Sequence, residues 1–163
     1  MEDKTRLNYL QSRVRQKRAV IKMYDDPAMT LEEAREADIV PWNDLVEEDF
    51  HVAVFRDGFP VTPGHLLFVP KYRSDDLIEE AFEMALAKGR KMVAGGECQG
   101  FNIGLNIERC AGQTVIWPHV HLIPRRTEDT KDPIGGVRNV IPFAGNYKRR
   151  IGWWKKLLRH LAQ

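Results

Sequence analysis

Gly112-Gln113-Thr114-Val115-Ile116-Trp117-Pro118-His119-Val120-His121-Leu122-Ile123-Pro124-Arg125 holds the most strand-like run in the chain, from Gln113 to Pro124. In a strand, successive side chains point to opposite faces. Trp117, His119 and His121 then project together, while Ile116, Val120 and Leu122 project the other way into a core. Two imidazoles are thereby held side by side on a rigid element. Each can act as nucleophile, base or hydrogen-bond donor near neutral pH. A His-x-His pair on a strand is also half of a metal site. The remaining ligands would then come from His65, Cys98, Cys110 or a carboxylate. It is equally compatible with a surface pair of no special role. Spacing alone leaves these three readings open.

Working outward, the neighbouring segments also read as strands. His51-Val-Ala-Val-Phe55 is one, and Leu66-Leu-Phe-Val69 is a short, fully apolar one ended by Pro70. Arg56 to Pro60 is a turn-rich loop, and Thr62-Pro-Gly-His65 leads into the second strand. Phe101-Asn-Ile-Gly-Leu-Asn106 is another strand-like segment, followed by a loop over 107–112. Residues 74–94 predict a helix, with Leu77, Ile78, Ala81, Phe82, Ala85 and Leu86 on its inner face, stopped by Gly95-Gly96. Strands and one long helix alternate without βαβ regularity. That favours the α+β class: an antiparallel sheet with the long helix packed on one face.

The flanks carry no chemistry of their own. Residues 5–23 read as an amphipathic helix with Leu7, Leu10, Val14 and Ile21 in one stripe. Thr30 and Glu33 resemble a capping box that opens a short helix near 31–37. Residues 151–162 read as a closing helix with Trp154, Leu157, Leu158 and Leu161 inward; Trp153 and Trp154 together offer a surface for a second subunit or a cap for the core. The expected organisation is an N-terminal helical extension over 1–40, a catalytic domain over 41–145 and a C-terminal helix over 146–163 packed on it.

The chain has 163 residues, 43% of them hydrophobic, enough for one sizeable core. The formal net charge is only +2. Basic runs at 4–22 and 148–159 flank an acidic one at 25–49, and such runs are ordinarily solvated faces, so a nucleic-acid partner is not expected. The two cysteines match no zinc pattern and form no disulfide framework. No signal peptide is visible, and no apolar run approaches the roughly 18 residues that span a bilayer. The expectation is a cytoplasmic protein without a membrane partner.

The central run resembles the signature of the histidine triad (HIT) superfamily, His-apolar-His-apolar-His followed by two apolar residues. Gly112-Gln113-Thr114-Val115 precedes the histidines and Leu122-Ile-Pro-Arg125 follows them as in that family. Phe55-Arg-Asp57 and Pro63-Gly-His65-Leu-Leu-Phe-Val-Pro70 resemble its early strand pair, and Phe101 to Asn106 stands at the family's distance before the Gln-Thr strand. The resemblance covers roughly residues 50–143. The chain departs from the pattern at the first triad position, which is Trp117, followed by Pro118. A Pro-His pair is also similar to the nucleotidyl-transfer branch.

By this resemblance, His119 attacks the α-phosphorus of a nucleotide to form a nucleotidyl-histidine, which water or another acceptor releases. Imidazole suits the task, being nucleophilic when neutral and forming a labile bond to phosphorus. The resemblance implies that the backbone carbonyl at the first position orients the nucleophile, and Trp117 still supplies a carbonyl. It gives phosphate roles to His121, Gln113 and Thr114, with Asn106 near the phosphate or leaving group. Asp57 matches the ribose-binding acid, whose two oxygens suit two hydroxyls; as a loop Asp before Gly58 it is also an ordinary turn residue. Phe55 is placed at the base pocket or in the core, His65 near the site or in a structural bond to backbone, and Trp117 on substrate or among its neighbours. The implied substrates are dinucleoside polyphosphates of the diadenosine tetraphosphate kind, with phosphoramidase, nucleotidyltransferase and non-catalytic nucleotide binding as alternatives. No cofactor or metal bound by the protein is expected, and Mg²⁺ enters only with a polyphosphate. The family further implies a homodimer, and two-fold symmetry is the commonest oligomeric arrangement.

Overall fold

Two short apolar strands form the middle of the molecule. They are β2 (Val52–Arg56) and β3 (Leu66–Pro70), preceded by β1 (Leu45–Glu48). The computed structural model describes residue 26, residues 28–142 and residues 144–146. The helices expected over 5–23 and 151–162 lie outside the described residues.

β2 and β3 are apolar without alternation because both of their faces are covered. Ala53, Phe55, Leu67 and Val69 belong to one core cluster; Val52, Val54, Leu66 and Phe68 belong to another on the opposite face. With β4 (Gly100–Leu105) and β5 (Val120–Arg125) they make a five-stranded sheet, ordered β1-β2-β3-β5-β4, antiparallel throughout. The expected α+β architecture is what the chain adopts.

A short helix α1 (Leu31–Glu36) opens the described chain with the capping box anticipated at Thr30 and Glu33. Its Leu31 and Ala34 are buried on one face of the sheet with Val40, Trp42 and Trp117. The long helix α2 (Asp75–Ala94) covers the other face. Ser74 caps it by accepting from the Leu77 amide, and Asp75 and Asp76 suit the positive end of its dipole.

The buried stripe of α2 differs from the expected one. It runs through Ala81, Ala85, Gly89 and Met92, while Leu86 is 39% exposed and Leu77, Ile78 and Phe82 are half-buried. Small residues bring the helix close to the sheet. A Cβ on Gly89 would lie 2.8 Å from the Phe101 ring. Closeness rather than bulk defines the inner face.

The central run is a strand over only half its expected length. β5 begins at Val120, and residues 113–119 are irregular. Pro118 has no N–H to give to a ladder. The Gln113 side chain takes the Glu108 amide and donates to the Ile116 carbonyl, which holds 108–116 as a loop. Ile116, expected in the core, is therefore 66% exposed. The strand β1 was not anticipated: it is short, rich in Glu and bulged between Leu45 and Glu47.

Candidate active site

Although the strand is short, the shared face survives. Val120 and Leu122 enter the cluster beneath α2. His121 pairs with Leu67 and looks the other way, toward the side where Trp117 is buried and where Trp42 meets His119. The His119 and His121 rings are 4.9 Å apart, edge to face.

His119 is 7% exposed. Its Nδ1 lies 2.7 Å from the Trp117 carbonyl and donates to it. The Nε2 lone pair is then free, which is the tautomer an attacking imidazole needs. Burial pushes its pKa below the usual 6.5, against the opposing pull of the Trp117 carbonyl and of Asp57. The ring is thus neutral and nucleophilic at neutral pH.

His65 and Asp57 sit behind His121. The loop that carries His65 is pinned to the end of β5, since the Thr62 hydroxyl donates to the Pro124 carbonyl at 2.7 Å and Arg126 donates to the Pro63 carbonyl at 3.0 Å. Gly64 takes φ +86 there, which a side chain would resist. His65 Nε2 is 3.0 Å from His121 Nδ1, and the Val61 amide donates to His65 Nδ1 at 3.4 Å. The Asp57 carboxylate stands as close to His65 Nδ1 as the Val61 amide does, so the tautomers of the two rings are coupled through the bond between them. Among the described residues the His121 Nε2 is buried without a hydrogen-bond partner. A buried polar group left unpaired costs about 1–3 kcal/mol, and when it carries the proton an anionic oxygen would satisfy it.

Asp57 joins this cluster. Its Oδ1 accepts from the Phe59 amide, closing the turn expected of an Asp before Gly58. Its Oδ2 is 3.3 Å from His65 Nδ1 and 3.9 Å from His121 Nδ1. Burial lowers the His65 pKa, with Asp57 opposing. Burial, followed by the neighbouring His119 and His65, takes His121 down to about 4. Asp57, His65 and His121 also offer ligand atoms within 4.8 Å of one another. A carboxylate and two imidazoles are a donor set suited to a divalent ion.

The other expected residues fall into two groups. Trp117 is fully buried, its indole N–H donating to the Pro70 carbonyl at 2.9 Å, so its side chain is a core element. Phe55 is likewise fully buried. Gln113 uses its amide to hold the loop, as above; Thr114 beside it is exposed, and Asn106 at the end of β4 is half-buried. Trp42 was missed. Its ring is 5.0 Å from that of His119 and 6.3 Å from that of Phe55, walling the nucleophile. A lone Trp after Pro41 in an acidic stretch carried no signal of this.

The HIT domain family model matches residues 42–128. A HIT-like protein of Methanocaldococcus jannaschii is 36% identical over 103 residues, which are 59% of this chain and 80% of that protein. The adenosine 5'-monophosphoramidase HNT1 of Saccharomyces cerevisiae is 30% identical over 92 residues, 55% of this chain and 58% of its own length. A zinc-bound histidine triad family protein of Mycobacterium smegmatis has 26% identity and a TM-score of 0.53, over 61% of this chain and 76% of that one.

Proposed function

Because the chain belongs to the HIT domain family, we propose that it cleaves nucleotides at the α-phosphorus through a nucleotidyl-histidine on His119, with dinucleoside polyphosphates such as diadenosine tetraphosphate as substrates. The observation that carries this reading is the 2.7 Å bond from His119 Nδ1 to the Trp117 carbonyl. The Nε2 lone pair attacks phosphorus, and the bond to the leaving group breaks with its electron pair. Water then attacks the same phosphorus, the phosphorus–nitrogen bond breaks, and a nucleoside monophosphate is released. The unpartnered Nε2 of His121, when it carries the ring proton, is suited to a non-bridging oxygen on which charge builds up. Asp57 takes the ribose, with Gln113, Thr114 and Asn106 around the phosphates. Mg²⁺ accompanies a polyphosphate and is not required by the nucleophile.

Phosphoramidate cleavage is the second reading, favoured by the relationship to the yeast monophosphoramidase. The same nucleophile serves both; the leaving group is nitrogen rather than oxygen. The test is turnover of diadenosine tetraphosphate, diadenosine triphosphate and adenosine phosphoramidate, with and without Mg²⁺, resolved by chromatography. A product absent from His119→Ala identifies the nucleophile and names the leaving group. Unchanged turnover in that variant would sink the proposal, and nucleotide binding without product would favour a sensor. A homodimer is part of the same reading, and a monomer in sedimentation at micromolar concentration would refute it. No helix among the described residues is long and apolar enough to cross a membrane.

A further inference from the structure

Two loops leave the sheet at opposite ends. β3 runs antiparallel to β5, with Leu66 opposite Leu122, Leu67 opposite His121 and Phe68 opposite Val120. Residues 57–65, which precede Leu66, therefore lie toward the last residues of β5, where Thr62 donates to the Pro124 carbonyl. Residues 106–119 join β4 to β5 at the other end, beyond the Leu105–Val120 pair. Asp57 and His65 belong to the first loop. Asn106 and Thr114 belong to the second, which closes on His119.

The second loop carries two exposed apolar side chains, Ile107 at 63% and Ile116 at 66%. Exposed isoleucines scattered singly are ordinary. These two are joined. The Gln113 side chain accepts from the Glu108 amide at 2.8 Å and donates to the Ile116 carbonyl at 2.7 Å. One amide group thus ties the backbone that follows Ile107 to that of Ile116. The Gln113 main-chain amide adds a bond to the Glu108 carbonyl at 3.2 Å. The chain on either side of the pair belongs to the site: Asn106 directly precedes Ile107, and Trp117, whose carbonyl holds His119, directly follows Ile116. An apolar lip is therefore pinned at the edge of the site, at the end away from Asp57.

We propose that Ile107 and Ile116 form the leaving-group subsite and take the base of the second nucleoside of a dinucleoside polyphosphate. This rests on the cleavage reading above. With Asp57 on the ribose of the nucleotide that passes to His119, the leaving group is a different substituent on phosphorus and departs toward the opposite end of the sheet. A flat base covers both side chains there, whereas an amine or a bare phosphate leaves them in water. The lip thereby selects dinucleoside polyphosphates over simple phosphoramidates.

The test is calorimetric titration of the full chain carrying His119→Ala, in which the ligand survives. The ligands are diadenosine tetraphosphate and the analogue of equal charge that ends in ribose without the second base. The dinucleotide should bind about tenfold tighter, the worth of apolar contact with two side chains. Ile107→Ser with Ile116→Ser should remove that difference and leave the affinity for the analogue unchanged. With His119 intact, the same two substitutions should lower kcat/KM for diadenosine tetraphosphate about tenfold and spare adenosine phosphoramidate. Equal affinity for the two ligands before the substitutions, or a difference that survives them, would overturn this inference and leave cleavage standing. A dimer that the two substitutions turn into a monomer in sedimentation would give the lip to a subunit interface and overturn it as well. Binding of neither ligand, with product from no nucleotide, would overturn the cleavage reading and this one together.

Discussion

His119 is oriented by the main chain of Trp117, not by its side chain: the bond from Nδ1 to the Trp117 carbonyl is 2.7 Å, while the indole turns away and donates to Pro70. Two demands on one residue are thus separated. The backbone serves the nucleophile and the ring serves the core.

It follows that Trp117→Phe should keep kcat within about tenfold of the parent while losing roughly 1–3 kcal/mol of stability, the cost of a lost buried hydrogen bond with some packing. Denaturant melts and turnover on the same preparation check this. A collapse of kcat in a folded variant would show that the indole itself takes part in the chemistry.

His121→Ala removes the buried imidazole Nε2 beside the nucleophile. Turnover should fall by about 10²–10³-fold, the usual worth of one such donor, with little change in nucleotide affinity. Single-turnover kinetics separate the two. A loss of affinity alone would assign His121 to ground-state binding.

The histidines also set a pH signature. All three have folded pKa values below 6.5, His121 at about 4. Between those values the unfolded chain binds protons that the folded chain refuses. Stability is therefore full above pH 6.5 and falls as pH drops from 6.5 toward 4, by about 2–3 kcal/mol for His121 alone. Urea midpoints across pH 4–8 test the sign. By the same reasoning the acid limb of kcat/KM, where His119 gains its proton, should lie below pH 6.5. A limb above 6.5 would contradict the buried, neutral nucleophile.

Gly89→Ala should destabilise by about 1–3 kcal/mol, because the added Cβ meets the Phe101 ring at 2.8 Å and must displace it from α2. Thermal melts check the size. Recovery in a Gly89→Ala, Phe101→Leu double variant would confirm that the clash is with that ring.

Much of this was legible in the residues and some was not. The fully apolar run Leu66–Val69 marks a strand covered on both faces, and Thr30 with Glu33 marks a helix start, because each signal is local chemistry. The shared face of Trp117, His119 and His121 follows from alternation. The end of that strand does not, since alternation cannot register that Pro118 withholds a donor or that Gln113 ties Glu108 to Ile116. β1 escaped because an edge strand with two glutamates has no apolar pattern to display. Trp42 reaches His119 only through tertiary packing. His65 and Asp57 were singled out by resemblance, but the contacts that bring them together behind His121 needed coordinates.

Pro118 leaves the nucleophile on a seam. From Val120 onward the chain is laced between β3 and β4, while His119 and the loop before it lack those rungs. Amide exchange should be slow in the first part and fast in the second. On warming, the loop can fray and let the Trp117 carbonyl drift from His119 while the sheet is still whole. Heat would then silence the protein before it unfolds it, and cooling would restore it.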